Sequence, residues 1–130
     1  MRPLYMIQIS FACIAGIAAW FLGGIDGLVY TLAIFVLVDY LTGLMKAVSE
    51  GELSSKIGAK GIFKKILIFI LIGLSNLVDG YLMDFGMFRT IAIFFYISNE
   101  GISILENANA MGLPIPEKLK KLFKEMGNTR

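Results

Sequence analysis

The sequence predicts an all-α integral membrane protein: four transmembrane helices with short loops, and both termini in the cytoplasm. Three observations carry that prediction. Of 130 residues, 57% are hydrophobic and only 17% are charged, against roughly 25% charged in a typical soluble domain, and mean hydropathy is +0.75. Four apolar stretches, about 5–23, 28–48, 66–83 and 87–105, approach the length needed to cross ~30 Å of hydrocarbon. Eleven of the twelve basic residues fall on one side of those stretches, and only Arg89 falls on the other. By the positive-inside rule, that side is the cytoplasm. The expected division is a transmembrane helical domain over 1–110 and a cytoplasmic basic amphipathic tail over 111–130.

In the first stretch Trp20 suits an interfacial anchor. Ala12, Gly16 and Ala19, at i, i+4 and i+7, form a small-residue face for another helix. A cleaved signal peptide is the alternative, opposed by the lone Arg2 and by the spans that follow at once. Met1 and Met6 flank Arg2, so initiation at Met6 would give a shorter product without that charge, a device for timing. The plain alternative is that Met6 is one more apolar residue of the span. Gly23-Gly24-Ile25-Asp26-Gly27 then reads as a turn.

The second stretch carries Asp39, with Thr42, Gly43 and Lys46 on the same helical face at i+3, i+4 and i+7. A carboxylate so far inside an apolar segment is costly and marks a face turned to protein or water. The loop that follows is basic, with Lys56, Lys60 and Lys64 recurring every four residues. Ser54 or Ser55 is placed to cap a short helix lying on the inner leaflet. The loop lacks the phosphate-binding glycine pattern. Gly58-Ala59-Lys60-Gly61 matches a nucleic-acid-binding loop only superficially, so no nucleic acid is expected as a partner.

Asn76 and Asp79 interrupt the third stretch, and Asp84-Phe85-Gly86 forms the next turn. The fourth stretch aligns Arg89, Tyr96, Asn99, Glu100 and Ser103 on one face. Counting along the helices puts Asp39 and Glu100 at similar depth, and Asp79 near the outer end within reach of Arg89. Asp39, Thr42, Gly43, Asn76, Asp79, Asn99 and Glu100 are therefore candidates for lining a pore or joining protomers. The competing reading makes them ordinary interhelical hydrogen bonds, each worth about 1 kcal/mol or less. In the tail, Leu119, Leu122, Phe123 and Met126 share a face after Pro116. With Lys118 and Lys121 beside them, that helix is expected on an anionic membrane surface.

The chain has no histidine, and its single cysteine, Cys13, lies in an apolar run. His-based proton shuttles and Ser–His or Cys–His nucleophile pairs are thereby removed. No catalytic, cofactor-binding or metal-ligating residues are assigned, and the chain is not expected to be an enzyme.

Several ordered motifs carry a family resemblance. Asp39-Tyr40-Leu41-Thr42-Gly43 is followed by Lys46-Ala47, by Leu53-Ser54-Ser55-Lys56 and by Gly58 to Lys65. Asn99-Glu100-Gly101-Ile102-Ser103, Glu106-Asn107-Ala108 and Gly112-Leu113-Pro114-Ile115-Pro116 come next. Together they resemble the phage lysis and clostridial toxin-secretion holin family. The likeness runs from the second span onward, while the first span matches only in hydrophobicity. It implies a protein that accumulates in the bacterial cytoplasmic membrane, forms homo-oligomers and permeabilises it. An endolysin or a large toxin then crosses, linked by function and needing no direct contact. A small four-span transporter or an accessory subunit of a larger membrane complex is the alternative, although small proton-coupled exporters carry their glutamate in the first span, where this chain has none.

Overall fold

The computed structural model describes residues 2–83 and 86–128; Met1, Asp84, Phe85, Thr129 and Arg130 lie outside them. Among the described residues the regular structure is all helical, without strands. Five helices follow in order: α1 (Arg2–Leu22), α2 (Gly27–Ser49), α3 (Ser55–Leu77), α4 (Met87–Ala110) and α5 (Glu117–Asn128). A wider π-helical turn, Val78–Met83, extends α3.

Local chemistry fixes the ends. Asp26 caps α2 by accepting from the Val29 N–H, and Ser54 caps α3 by accepting from the Ile57 N–H. Gly23 and Gly86 take positive φ values of 83° and 66° at the two outer turns, a region that favours glycine. Pro116 stands just before α5 and accepts the first backbone bonds of that helix.

The core is small and lies between α2, α3 and α4. Each contributes one fully buried side chain, Leu32, Ile72 and Ile93 respectively, surrounded by Val29, Val36, Ile68 and Ile97. α4 is the hub, packing on α2 and α3 and carrying α5 on its remaining side. α1 reaches the bundle mainly through α3, where the Phe21 ring covers Gly73 so closely that a Cβ there would lie 1.9 Å from it.

Much of the surface is apolar. Phe11 (75% exposed), Ile14, Ile17, Tyr30, Leu37, Ile66 and Leu67 all point outward. So much exposed hydrocarbon marks a surface built for lipid. α1, α2 and the Ser55–Met83 helix are each long and apolar enough to cross a membrane. The fourth expected span, α4, is long enough but is not apolar enough to be counted with them.

Two expectations change here. The middle lysines were expected in a short surface helix, but Ser54 starts one continuous helix that carries Lys56, Lys60, Lys64 and Lys65 up into the bundle. The tail's apolar face is also divided. Phe123 and Met126 turn toward α4 and the core, whereas Leu119 and Leu122 stay exposed.

Candidate functional site: a charged clasp between three helices

Asp39 of α2, Lys65 of α3 and Glu100 of α4 each stand ten residues from the basic end of their helix, about 15 Å at about 1.5 Å per residue. That shared depth brings them together. The Lys65 ammonium donates to both carboxylates, to Glu100 Oε2 at 2.6 Å and to Asp39 Oδ2. Both acids are nearly sealed, Asp39 at 6% and Glu100 at 5% exposure. One cation thus ties three helices at mid-depth, where charge is tolerated only when paired.

A second layer holds Asp39 in position. The Asn107 side-chain amide donates to Asp39 Oδ1 at 3.2 Å and to Thr42 Oγ1 at 3.0 Å. A Cβ at Gly43 would stand 3.7 Å from that same amide nitrogen. Tyr40 donates to the Gly58 carbonyl, tying α2 to the start of α3. Cavities flank the clasp: one of about 220 Å³ bounded by Tyr40, Gly61 and Asn107, and one of about 390 Å³ bounded by Leu71, Tyr96 and Asn99. Asp39, Lys64, Lys65 and Ser103 line both.

Asn76 and Asp79 belong to a different cluster, at the end opposite the basic one. Asn76 donates to the Phe21 carbonyl. Asp79, 6% exposed, accepts from the Phe88 and Arg89 backbone N–H groups at 2.9 and 2.8 Å, capping α4 from the preceding helix. The Arg89 guanidinium turns away from Asp79. It donates to the Leu22 and Gly24 carbonyls at the end of α1 and pairs with Asp26 at 2.8 Å. This outer latch joins α1, α2, α3 and α4.

Arg89 acts on the Asp26 carboxyl. Its hydrogen bond, followed by that of the Val29 N–H, lowers the Asp26 carboxyl from 3.8 to about 2. A depressed acid stabilises the folded form fully above its unfolded value and loses that contribution as pH falls through the folded one. The latch should therefore be unaffected between pH 7 and 5 and weaken only below about pH 4. Carboxyl NMR in micelles should place the Asp26 midpoint near 2. Arg89→Gln should move that midpoint upward, and an unmoved midpoint would remove Arg89 as the cause.

Of the other sequence candidates, Asn99 lies on the exposed side of α4 beside the larger cavity. Lys56, Lys60 and Lys64 are exposed along the first half of α3, and Lys118 and Lys121 along α5. Lys65 and Asn107 were missed as site residues. The signal for Lys65 was its even spacing from the basic end, hidden when it was grouped with the loop. Asn107 was present in a quoted motif without a role.

The bacteriophage holin family model matches residues 16–128. This chain belongs to the bacteriophage holin family. The matched region contains the clasp, the outer latch and α5. Among its relatives, an uncharacterized 14.9 kDa protein of Clostridium perfringens, described as lying in the nagH 3′ region, is 48% identical over 113 residues, 85% of each chain. An uncharacterized protein of Listeria monocytogenes is 45% identical over 115 residues, 88% of this chain and 80% of its own. A probable holin of Bacillus phage phi105 is 35% identical over 80 residues, 62% of this chain and 59% of its own. No solved structure matches the chain. As a holin-family protein with lipid-facing apolar helices, it is a membrane protein.

Proposed function

We propose that this holin inserts into the bacterial cytoplasmic membrane with four spans and both termini inside. There it self-associates and opens a passage through which an endolysin or a large protein toxin leaves the cell. The observation that carries this reading is the clasp of Asp39, Lys65 and Glu100. A holin-family chain that needs only to sit in lipid has no use for three charges at mid-depth. A chain that must expose polar faces when protomers rearrange does. Asp39, Thr42, Gly43 and Glu100 are then the residues whose contacts change on assembly, and Asn99 is already turned outward. Asn76 and Asp79 serve the outer latch inside one protomer. Lys56, Lys60 and Lys64 fix the basic side toward anionic lipid. No catalytic step is assigned.

A transporter reading receives less support, because the buried acids are locked to one lysine across three helices instead of facing an open substrate pocket. Co-expression tests the proposal. Cells making this protein with a cytoplasmic cell-wall hydrolase should lyse, and cells making either alone should not release that hydrolase. A reporter fusion at Lys60 should read cytoplasmic, and one at Gly24 external. A cytoplasmic signal at Gly24 would remove the four-span arrangement.

A further inference from the structure

α5 begins beside Glu106 and Asn109 at the basic end of α4. It climbs until Phe123 covers Gly101 and Gly127 meets Ser98. The Ser98 hydroxyl also donates to the Phe123 carbonyl. Ser98 lies eleven residues into α4, about 16 Å from its outer end at about 1.5 Å per residue. The docked tail thus carries its outward side to roughly mid-span.

That outward side carries several charges alongside the exposed Leu119 and Leu122. Lys118, Lys121, Lys124 and Glu125 are exposed on α5, and Asn99 and Glu106 are exposed on α4 next to it. Snorkelling moves a lysine head by about one side-chain length toward the surface, which serves Lys118 and Lys121. It does not serve Lys124 or Glu125, three and four residues deeper than Lys121. Hydrocarbon excludes such a face.

A second observation agrees. Three helices are apolar enough to cross a membrane on their own account, and α4 is not among them. One side of α4 meets α2 and α3, and another lies under α5. Water must therefore reach this face, and it cannot come through the protomer, whose centre is closed by Leu32, Ile72 and Ile93.

We propose that the α4–α5 face lines a water-filled lumen between copies of this chain, with α5 forming the wall from the basic end to mid-membrane. This rests on the permeabilising role above and adds which surface meets the lumen. The polar wall ends where α4 exposes Phe88, Ile91 and Phe95 instead.

Two measurements on the full-length protein in liposomes test it, in a Cys13→Ser background. First, Ser98→Cys with Gly127→Cys should close an intramolecular disulfide on oxidation, because a Cβ at Gly127 lies 3.1 Å from that of Ser98. Second, Leu122→Cys should react with a charged, membrane-impermeant thiol reagent. Phe11→Cys on α1 should react roughly 100-fold more slowly, since apolar surroundings suppress the thiolate. Should the cysteine pair disturb folding, Leu122→Trp with Trp20→Phe replaces it. That indole should be quenched by iodide and spared by lipids brominated at any depth.

A disulfide with an unreactive Leu122→Cys would place α5 against lipid and overturn the proposal. Failure of the disulfide in folded protein, or quenching by shallow brominated lipid, would put the tail on the membrane surface and overturn it equally. Dye release is recorded on the same vesicles. Release with a slow Leu122→Cys defeats the lumen assignment alone, whereas vesicles that never leak defeat the permeabilising role beneath it.

Discussion

Lys65→Met is expected to be the most damaging single substitution in this chain. Methionine preserves most of the stem's packing while removing the ammonium. Asp39 and Glu100 would then face each other across three helices, both nearly sealed and neither with a cation. Removing one partner from a buried charged set costs about 3–5 kcal/mol, because the remaining charge has lost its compensation. A bundle with so small a core has little reserve against that loss. Thermal unfolding in micelles should show a large drop in midpoint, and membrane levels of the variant should fall with it. Lys65→Met with an unchanged midpoint would show that the clasp does not hold the helices.

Neutralising the acids should give the opposite of an additive pattern. Asp39→Asn or Glu100→Gln alone leaves Lys65 with one carboxylate and an amide of the same shape, an evenly matched pair. Each single change should cost no more than about 1 kcal/mol, the scale of one interhelical hydrogen bond. The double variant strands the ammonium and should cost about 3–5 kcal/mol, as Lys65→Met does. Adding Lys65→Met to the double variant should recover most of the loss, since an uncharged set needs no counter-ion. Leucine at Asp39 should be worse than asparagine because the Asn107 amide loses one of its acceptors as well. A double-mutant cycle decides the matter, because groups in one network couple and independent ones do not. Simple addition of the two single effects would mean that Lys65 is not shared.

Much of this architecture was legible in the sequence. Apolar length located all four long helices, because hydrocarbon thickness sets a length that few other constraints imitate. The depth match between Asp39 and Glu100 followed from counting along helices with a fixed rise.

What stayed hidden depended on where side chains turn. Lys65 precedes an apolar run and follows another lysine, so composition assigned it to the loop. Only the continuous helix from Ser55 lifts it to the level of the two acids. Asp79 does lie within reach of Arg89, but through the backbone N–H and not the guanidinium. The Asp79 oxygens are already committed to the backbone N–H groups of α4, leaving Asp26 for the guanidinium. The docking of α5 was invisible because an amphipathic pattern shows an apolar face without saying what covers it. Gly101 and Gly127 are the residues that let the tail and α4 approach closely, and neither spacing nor charge distinguishes them from other glycines.

Leakage of graded dyes from liposomes that contain only this purified protein tests the central claim most directly. A holin working as proposed should release small fluorophores and protein-sized dextrans alike above a threshold protein density, with release rising steeply as copies accumulate. Vesicles that hold their dextrans at every density, or pass only small ions, would contradict the account.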